Sequence, residues 1–197
     1  GLSYPENVWA PVWMAPLLPD QMEEFFETPL PIEDLYSEAM EVWDSHPEAS
    51  RTDRLLTFFT NLYLQNDILT KVDRASMMTS LETRAVFLDN DIVDFCAKLP
   101  SHFKIRDGQR KYLLKKALAP LLPRETIRRK KKGFGIPLND WMRQMPEARS
   151  PKLISGTNTS FAHSRWKQHS RGKEDNRFFL WNQLALQYSP LFGSERA

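Results

Sequence analysis

A chain of 197 residues with 41% hydrophobic and 26% charged residues can bury a core, and this excludes wholesale disorder. Its single cysteine, Cys96, excludes an internal disulfide framework, and its longest uncharged stretch, 178–194, carries Asn182, Gln183, Gln187 and Pro190 and is too polar for a membrane span. The net charge of +2 hides a division: residues 1–50 hold eleven acids and no Lys or Arg, which leaves 14 of the 25 acids, all 27 bases and a net of +13 for the remainder.

In chain order, the periodicity predicts helices nearly throughout. Residues 7–19 carry Trp9, Pro11, Trp13, Pro16 and Pro19 without a charge, and the prolines predict an irregular strip laid on apolar surface. Asp20 and Glu23 have capping-box spacing for a short helix to residue 27. Pro31 suits the first position of a helix in which Ile32, Leu35, Tyr36, Ala39, Met40 and Trp43 form one apolar stripe. After a break at 46–51, Thr52 is the predicted cap of a helix dense in Leu55, Leu56, Phe58, Phe59, Leu62, Tyr63, Leu64, Ile68 and Leu69. A helix apolar over most of its circumference is expected to be buried. Residues 72–80 continue or kink it. A short helix at 90–99 stops at Pro100, with Cys96 expected in the core, and a cationic amphipathic helix follows at 111–122. Pro137 opens a helix to 142, and the last helix, 174–188, is expected to bury Phe178, Trp181, Leu184, Ala185 and Tyr188. No hairpin signal and no internal repeat stand out, so the expected fold class is mainly α. The predicted organisation is an acidic, Pro/Trp-rich helical segment 1–50, a helical core 51–190 with a cationic loop at 128–137, and a tail 191–197.

Three segments carry candidate chemistry. In Lys71-Val72-Asp73-Arg74-Ala75-Ser76-Met77, Asp73 and Ser76 share a helix face beside Arg74; a structural ion-pair lattice is the leading reading and a site the other. In 80–89, the polar Glu82 and Arg84 alternate with apolar residues, as in a short extended segment with both side chains on one side. A carboxylate beside a guanidinium stays ionised and can order or deprotonate an amine, although a plain salt bridge would look the same. Third, Arg128 to Lys132 are five consecutive cations running into Gly133-Phe134-Gly135-Ile136-Pro137, an aromatic anchor between glycines and then a helix start. A loop pinned in this way suits a phosphate or pyrophosphate leaving group, with nucleic-acid backbone binding and a solvated basic face as rivals. The seven glycines form neither GxGxxG nor GxxxxGK[ST], so a phosphate cradle of those kinds is excluded. His46, His102, His163 and His169 show no ligand spacing, which predicts structural or surface roles and no metal site.

Together, Asp73-Arg74-Ala75-Ser76-Met77, Ser80-Leu81-Glu82-Thr83-Arg84, Phe87-Leu88-Asp89, Lys104-Ile105-Arg106, Lys111-Tyr112-Leu113-Leu114 and Arg129 to Pro137 with Trp141 resemble the glutamine-dependent (class B) asparagine synthetases over about residues 53–188. The resemblance is to the helical C-terminal portion of their synthetase domain, a PP-loop ATP pyrophosphatase (adenine nucleotide α-hydrolase-like) fold. It implies activation of aspartate by Mg-ATP as β-aspartyl-AMP, and displacement of AMP by ammonia from a glutaminase domain. It places Lys131 on the loop lysine that supports pyrophosphate and Glu82 on an acceptor-site carboxylate oriented by Arg84. Asp73 and Arg74 then shape the pocket floor, and Lys132 and Gly133 flank the loop lysine. It also implies ATP and Mg2+ in the complete domain, an aspartate-like substrate and a cytoplasmic location without a membrane; a homodimer is one assembly it allows, and nucleic acid is the less favoured partner.

Relatives with other acceptors, such as β-lactam synthetases and peptide-cyclising or amidating enzymes, are the nearest alternative. A non-catalytic module that binds a partner or nucleic acid through the basic loop is a further one. Thr83, Ala85 and Val86 replace the usual alanine, valine and proline, which frees the backbone after Arg84. Neither SGGxDS nor SGEGSDE occurs in the sequence, so the expectation is an incomplete domain that does not turn over ATP alone.

Overall fold

The acidic first quarter and the C-terminal third of the chain contribute to one packed unit, residues 1–37 and 133–197, while residues 38–132 form another. The computed structural model describes residues 3–130, 133, 135–145 and 155–189. Among these, helices dominate and the sheet content is one two-stranded ladder, in keeping with the mainly α expectation. No helix of the described residues is long and apolar enough to cross a membrane.

In the first unit, the proline-rich strip is helical as far as Met14 and irregular over 15–18. A 3₁₀ turn, Glu6–Val8, leads into α1, Trp9–Met14. Pro11 is tolerated because it is the third helical residue, where the first turn has no internal use for its N–H. Val8, Ala10 and Val12 are buried, whereas Trp9 and Trp13 stack at 6.0 Å with Trp13 exposed. The next helix, α2 (Pro19–Phe25), starts two residues earlier than the Asp20/Glu23 pattern implies: Leu18 is its cap residue, Pro19 its first helical residue, and the Gln21 side chain accepts the Leu18 N–H at 3.1 Å. The stripe after Pro31 forms two helices, α3 (Ile32–Leu35) and α4 (Ser37–Asp44), the latter entering the second unit at Glu38.

Among the described residues, the first unit also holds α11 (Leu138–Gln144), α12 (Thr159–Ser170) and α13 (Arg177–Gln187). Leu17, Phe25, Leu138, Met142, Ala162, Phe179, Leu180 and Leu184 make the core, with Phe25 edge-on to Phe179 at 5.2 Å. The buried face of α13 is therefore Phe179, Leu180, Gln183 and Leu184, and the expected face is wrong except at Leu184: Phe178, Trp181 and Tyr188 are exposed. Counting apolar residues steered the expectation away from Gln183, which the core nevertheless buries.

Helix α12 was not anticipated. Asn158 is its cap, accepting the Phe161 N–H at 3.1 Å, and it also ties the helix to α2 by donating from its own N–H to the Phe25 carbonyl at 2.8 Å and from its side chain to the Glu24 carbonyl at 3.2 Å. Gly156, at φ +81°, gives the turn before it a conformation that side chains resist.

After α4, the second unit continues in one long helical run: α5 (Arg51–Phe58), a π-helical stretch Phe59–Leu69, and α6 (Thr70–Met77). Its cap is Ser50 rather than Thr52, through an acceptor bond from the Asp53 N–H at 3.2 Å. The wider π spiral shows in Thr70, whose hydroxyl reaches the Gln65 carbonyl, five residues back, at 3.2 Å. The expected burial of this helix is not observed: Ala39, Trp43 and Phe58 are the buried residues among those described in this unit. A helix apolar all round needs neighbours all round, and the elements that follow are short. They are a 3₁₀ turn Val86–Leu88, α7 (Asn90–Lys98), α8 (Ser101–Lys104), strands β1 (Ile105–Arg106) and β2 (Gln109–Arg110), α9 (Tyr112–Leu118) and α10 (Arg124–Arg128). Cys96 is exposed on α7, not in a core, because that helix also lacks a covering neighbour.

The sheet is a hairpin that the sequence did signal. Asp107 and Gly108 both have positive φ, +50° and +74°, between the antiparallel pairs Arg106–Gln109 and Ile105–Arg110. Asp-Gly is the usual pair for such a two-residue turn. Short flanking strands without clean alternation concealed it.

Candidate active site

Helix α6 ends in a way that aims the next segment. The Leu81 N–H bonds the Ser76 carbonyl and the Ser80 N–H bonds the Met77 carbonyl, both at 3.0 Å, while Ser80 sits at φ +56°. This is a Schellman closure with serine where glycine is usual. It reverses the chain into an extended stretch through Ala85, followed by the 3₁₀ turn. The Leu88 N–H closes that turn on the Ala85 carbonyl at 2.8 Å, and Asp89 then caps α7 by accepting the Asp91 N–H at 3.0 Å. Val86, which replaces the usual proline, is the first residue of the turn, a position whose N–H the turn does not use, so the geometry survives the substitution.

Between these two anchors, Glu82 and Arg84 form a direct ion pair, with side chains 69% and 85% exposed. The ion pair brings the two side chains together, but the apolar neighbours Leu81 and Val86 are exposed as well, so no buried face alternates with them. The segment borders an open depression of about 380 Å³ lined by Thr83, Arg84, Ala85, Val86, Leu88 and Asp89. Asp73 and Arg74 lie on α6, both exposed and without an ion pair among the described residues. The expected ion-pair lattice is therefore not found there; the Ser76 hydroxyl bonds the Asp73 backbone carbonyl at 3.0 Å instead. Lys71 pairs with Asp67 at 3.6 Å. Lys131 and Lys132 lie outside the described residues. Gly133 is exposed, with nothing within 4 Å of where a Cβ would stand, so its backbone position is open to a side chain.

Two further contacts lie elsewhere in the same unit. Lys104, in the segment Lys104-Ile105-Arg106, donates to Asp53 at 2.9 Å, with the two side chains 22% and 30% exposed. Burial pushes the Asp53 carboxyl up, but the Lys104 ammonium and the Ser50 hydroxyl outweigh it and hold it below the ordinary carboxylate value. Arg106 donates to the Tyr112 hydroxyl at 3.2 Å and lies over that ring at 5.2 Å.

Sequence reasoning missed a second depression, in the first unit, of about 390 Å³ lined by Glu24, Phe26, Glu27, Thr157, Asn158, Thr159 and Ser160. The signal for it was Asn158-Thr159, a cap and the first residue of a helix. Among the described residues no three His, Cys, Asp or Glu side chains converge as a cation site. With no GxGxxG or GxxxxGK[ST] loop in the sequence either, the described residues by themselves do not form a site for Mg2+ or a nucleoside triphosphate.

Comparison with known proteins accords with this arrangement. The family described as Asparagine synthase matches residues 6–189. The chain is similar to asparagine synthetase [glutamine-hydrolyzing] 1 of Bacillus subtilis, 32% identical over 128 residues, covering 62% of this chain and 20% of that protein. It is also similar to asparagine synthetase [glutamine-hydrolyzing] 3 of the same organism, 27% identical over 133 residues, covering 68% of this chain and 19% of that protein. The chain thus spans about a fifth of the length of these curated relatives. No solved structure matches. With the family match running across both units and through the Glu82–Arg84 segment, the chain belongs to the asparagine synthase family.

Proposed function

We propose that this chain supplies the acceptor side of an ATP-dependent asparagine synthetase. In this reading a β-carboxylate oxygen of aspartate attacks the α-phosphorus of ATP, pyrophosphate leaves with the bonding electrons, and β-aspartyl-AMP forms. Ammonia, released from glutamine by a portion of the protein outside this chain, then attacks the acyl carbon. The C–O bond to AMP breaks, and the surplus ammonium proton passes to a base.

Glu82 is the proposed base and amine-orienting group, aimed by its ion pair with Arg84. Lys131, with Lys132 and Gly133 beside it, is proposed to neutralise the departing pyrophosphate as a point charge. Asp73 and Arg74 are proposed to shape the pocket floor.

The observation that carries the reading is the Glu82–Arg84 pair on a segment anchored at both ends beside an open depression, in a chain of this family. The nucleotide loops and any Mg2+ ligands are assigned to the rest of the protein. In the reconstituted synthetase, Lys131→Ala is expected to lower kcat about 100-fold or more with little effect on folding. An unchanged rate would remove Lys131 from the site.

A further inference from the structure

All nine residues of α7 are exposed, yet they divide cleanly by face. At about 3.6 residues per turn, Ile92, Val93, Phe95 and Cys96 share one arc of about 160°, whereas Asn90, Asp91, Asp94 and Lys98 take the other side. A helix patterned in this way lays its apolar side on a neighbour. Here it packs on the 3₁₀ turn Val86–Leu88, and that turn is itself open. Val86 and Phe87 are 74% and 66% exposed, and Phe95 on the helix is 58% exposed. Met77, Met78 and Leu81, at the end of α6 and in the reversal after it, are exposed as well. Single apolar side chains on a surface are ordinary, but an uncovered run of this kind marks a place where another body sits.

We propose that Val86 and Phe87, with the apolar side of α7, are the seat of the portion of the synthetase that lies outside this chain, and that its docking walls the depression beside Glu82 and Arg84. Two observations choose this occupant. The matched stretch is about a fifth of the curated relatives' length, so about four fifths of such a polypeptide is available to cover the surface. The surface is also continuous with the candidate site: Val86 lines the depression next to Arg84, and a body seated on Val86 and Phe87 stands at its rim. Glu82 gains from that cover. At 69% exposure water competes for its hydrogen bonds, and a wall that excludes water strengthens every polar contact inside. What the closed pocket does rests on the function proposed above; the docking itself does not.

Cys96, the one cysteine of the chain, stands on the apolar arc and reports its cover directly. Its alkylation by iodoacetamide is followed by mass spectrometry of the peptide that carries it, in the 197-residue chain and in the complete synthetase. The rate is expected to be at least about tenfold lower in the complete protein. With Cys96→Ala in place, Asp94→Cys puts a thiol on the opposite side of α7, and that thiol is expected to react alike in both proteins. Equal rates for Cys96 in the two proteins overturn the proposal. Equal protection of both positions also overturns it, because α7 would then be buried without a preferred side. If Cys96 is already protected in the 197-residue chain and opens on dilution, a second copy is the occupant and the proposal fails.

Should the double variant not fold, hydrogen exchange of the wild type over 86–98 decides the point: slower exchange in the complete synthetase supports the proposal and equal exchange refutes it. Phe95→Asp sets a charge in the arc, where docking would bury it unpaired. In the complete synthetase it is expected to return Cys96 alkylation to about the rate of the 197-residue chain, and an unchanged rate would count against the interface. Protection of Cys96 in a synthetase that Glu82→Gln leaves fully active would keep the interface and remove the role given to Glu82. An open Cys96 in a synthetase that Glu82→Gln inactivates would do the reverse.

Discussion

Removing the charge of Asp53 tests how the Lys104-Ile105-Arg106 segment is held to the long helical run. Asp53 is the third residue of α5; its carboxylate accepts from Lys104 at 2.9 Å and from the Ser50 hydroxyl at 2.7 Å. A charge-assisted hydrogen bond contributes about 1.5–3 kcal/mol when well buried. Here the two side chains are 22% and 30% exposed, so screening places the pair nearer ~1 kcal/mol. The negative charge in the first turn of a helix adds about 0.3–0.5 kcal/mol. Asp53→Asn should therefore destabilise the protein by about 1–1.5 kcal/mol at pH 7, measured by urea denaturation followed at 222 nm.

The pH dependence has a definite sign. A carboxyl held below its ordinary value gives stability that is fully present above the unfolded-state value and lost as pH falls through the folded-state value. The gap between wild type and Asp53→Asn should be constant near neutrality and shrink below about pH 4. A double-mutant cycle with Lys104→Met should give a coupling of about 1 kcal/mol. A coupling below about 0.3 kcal/mol, or a gap indifferent to acid, would show that the pair is not what holds the segment.

Other substitutions probe the anchors around the candidate site and the first unit. Ser80→Gly should stabilise by about 1 kcal/mol, since a left-handed residue with a side chain is strained, while Ser80→Val should destabilise by more; thermal melts of both would check this. Val86→Pro restores the family's residue at the first position of a 3₁₀ turn, with Ala85 already extended, and should raise stability by about 0.4–1 kcal/mol in the same assay. Asn158→Ala removes both a helix cap and the side-chain tie to α2, at an expected cost of about 1–2 kcal/mol by denaturant titration.

The parts of the fold legible in the sequence were those set by local rules. Pro31, Pro100 and Pro137 mark helix boundaries to within a residue or two, and the meeting of Glu82 with Arg84 was readable from their two-residue spacing on extended backbone. What was not legible depended on neighbours. The helix rich in Leu and Phe was expected to be buried, yet Leu56, Tyr63 and Val72 remain exposed, because residue type records the wish for a cover and not its presence. Gln183 and His169 are buried against their class tendency, and the ring of His169 earns that place through bonds to residues 30 positions back and seven ahead. Asp107-Gly108 was a local signal lost among cations, and Asn158 was a cap overlooked in a polar stretch. Family motifs supplied the roles proposed for Lys131 and Glu82, which charge patterning alone left open.

The central claim is that Glu82 serves the amine-transfer step, and separating the two half-reactions measures it most directly. In the reconstituted synthetase, Glu82→Gln should keep aspartate-dependent exchange of pyrophosphate into ATP within a few-fold of wild type, while asparagine formation from ammonia falls about 100-fold or more. Equal loss of both half-reactions, or asparagine formation at the wild-type rate, would contradict the account.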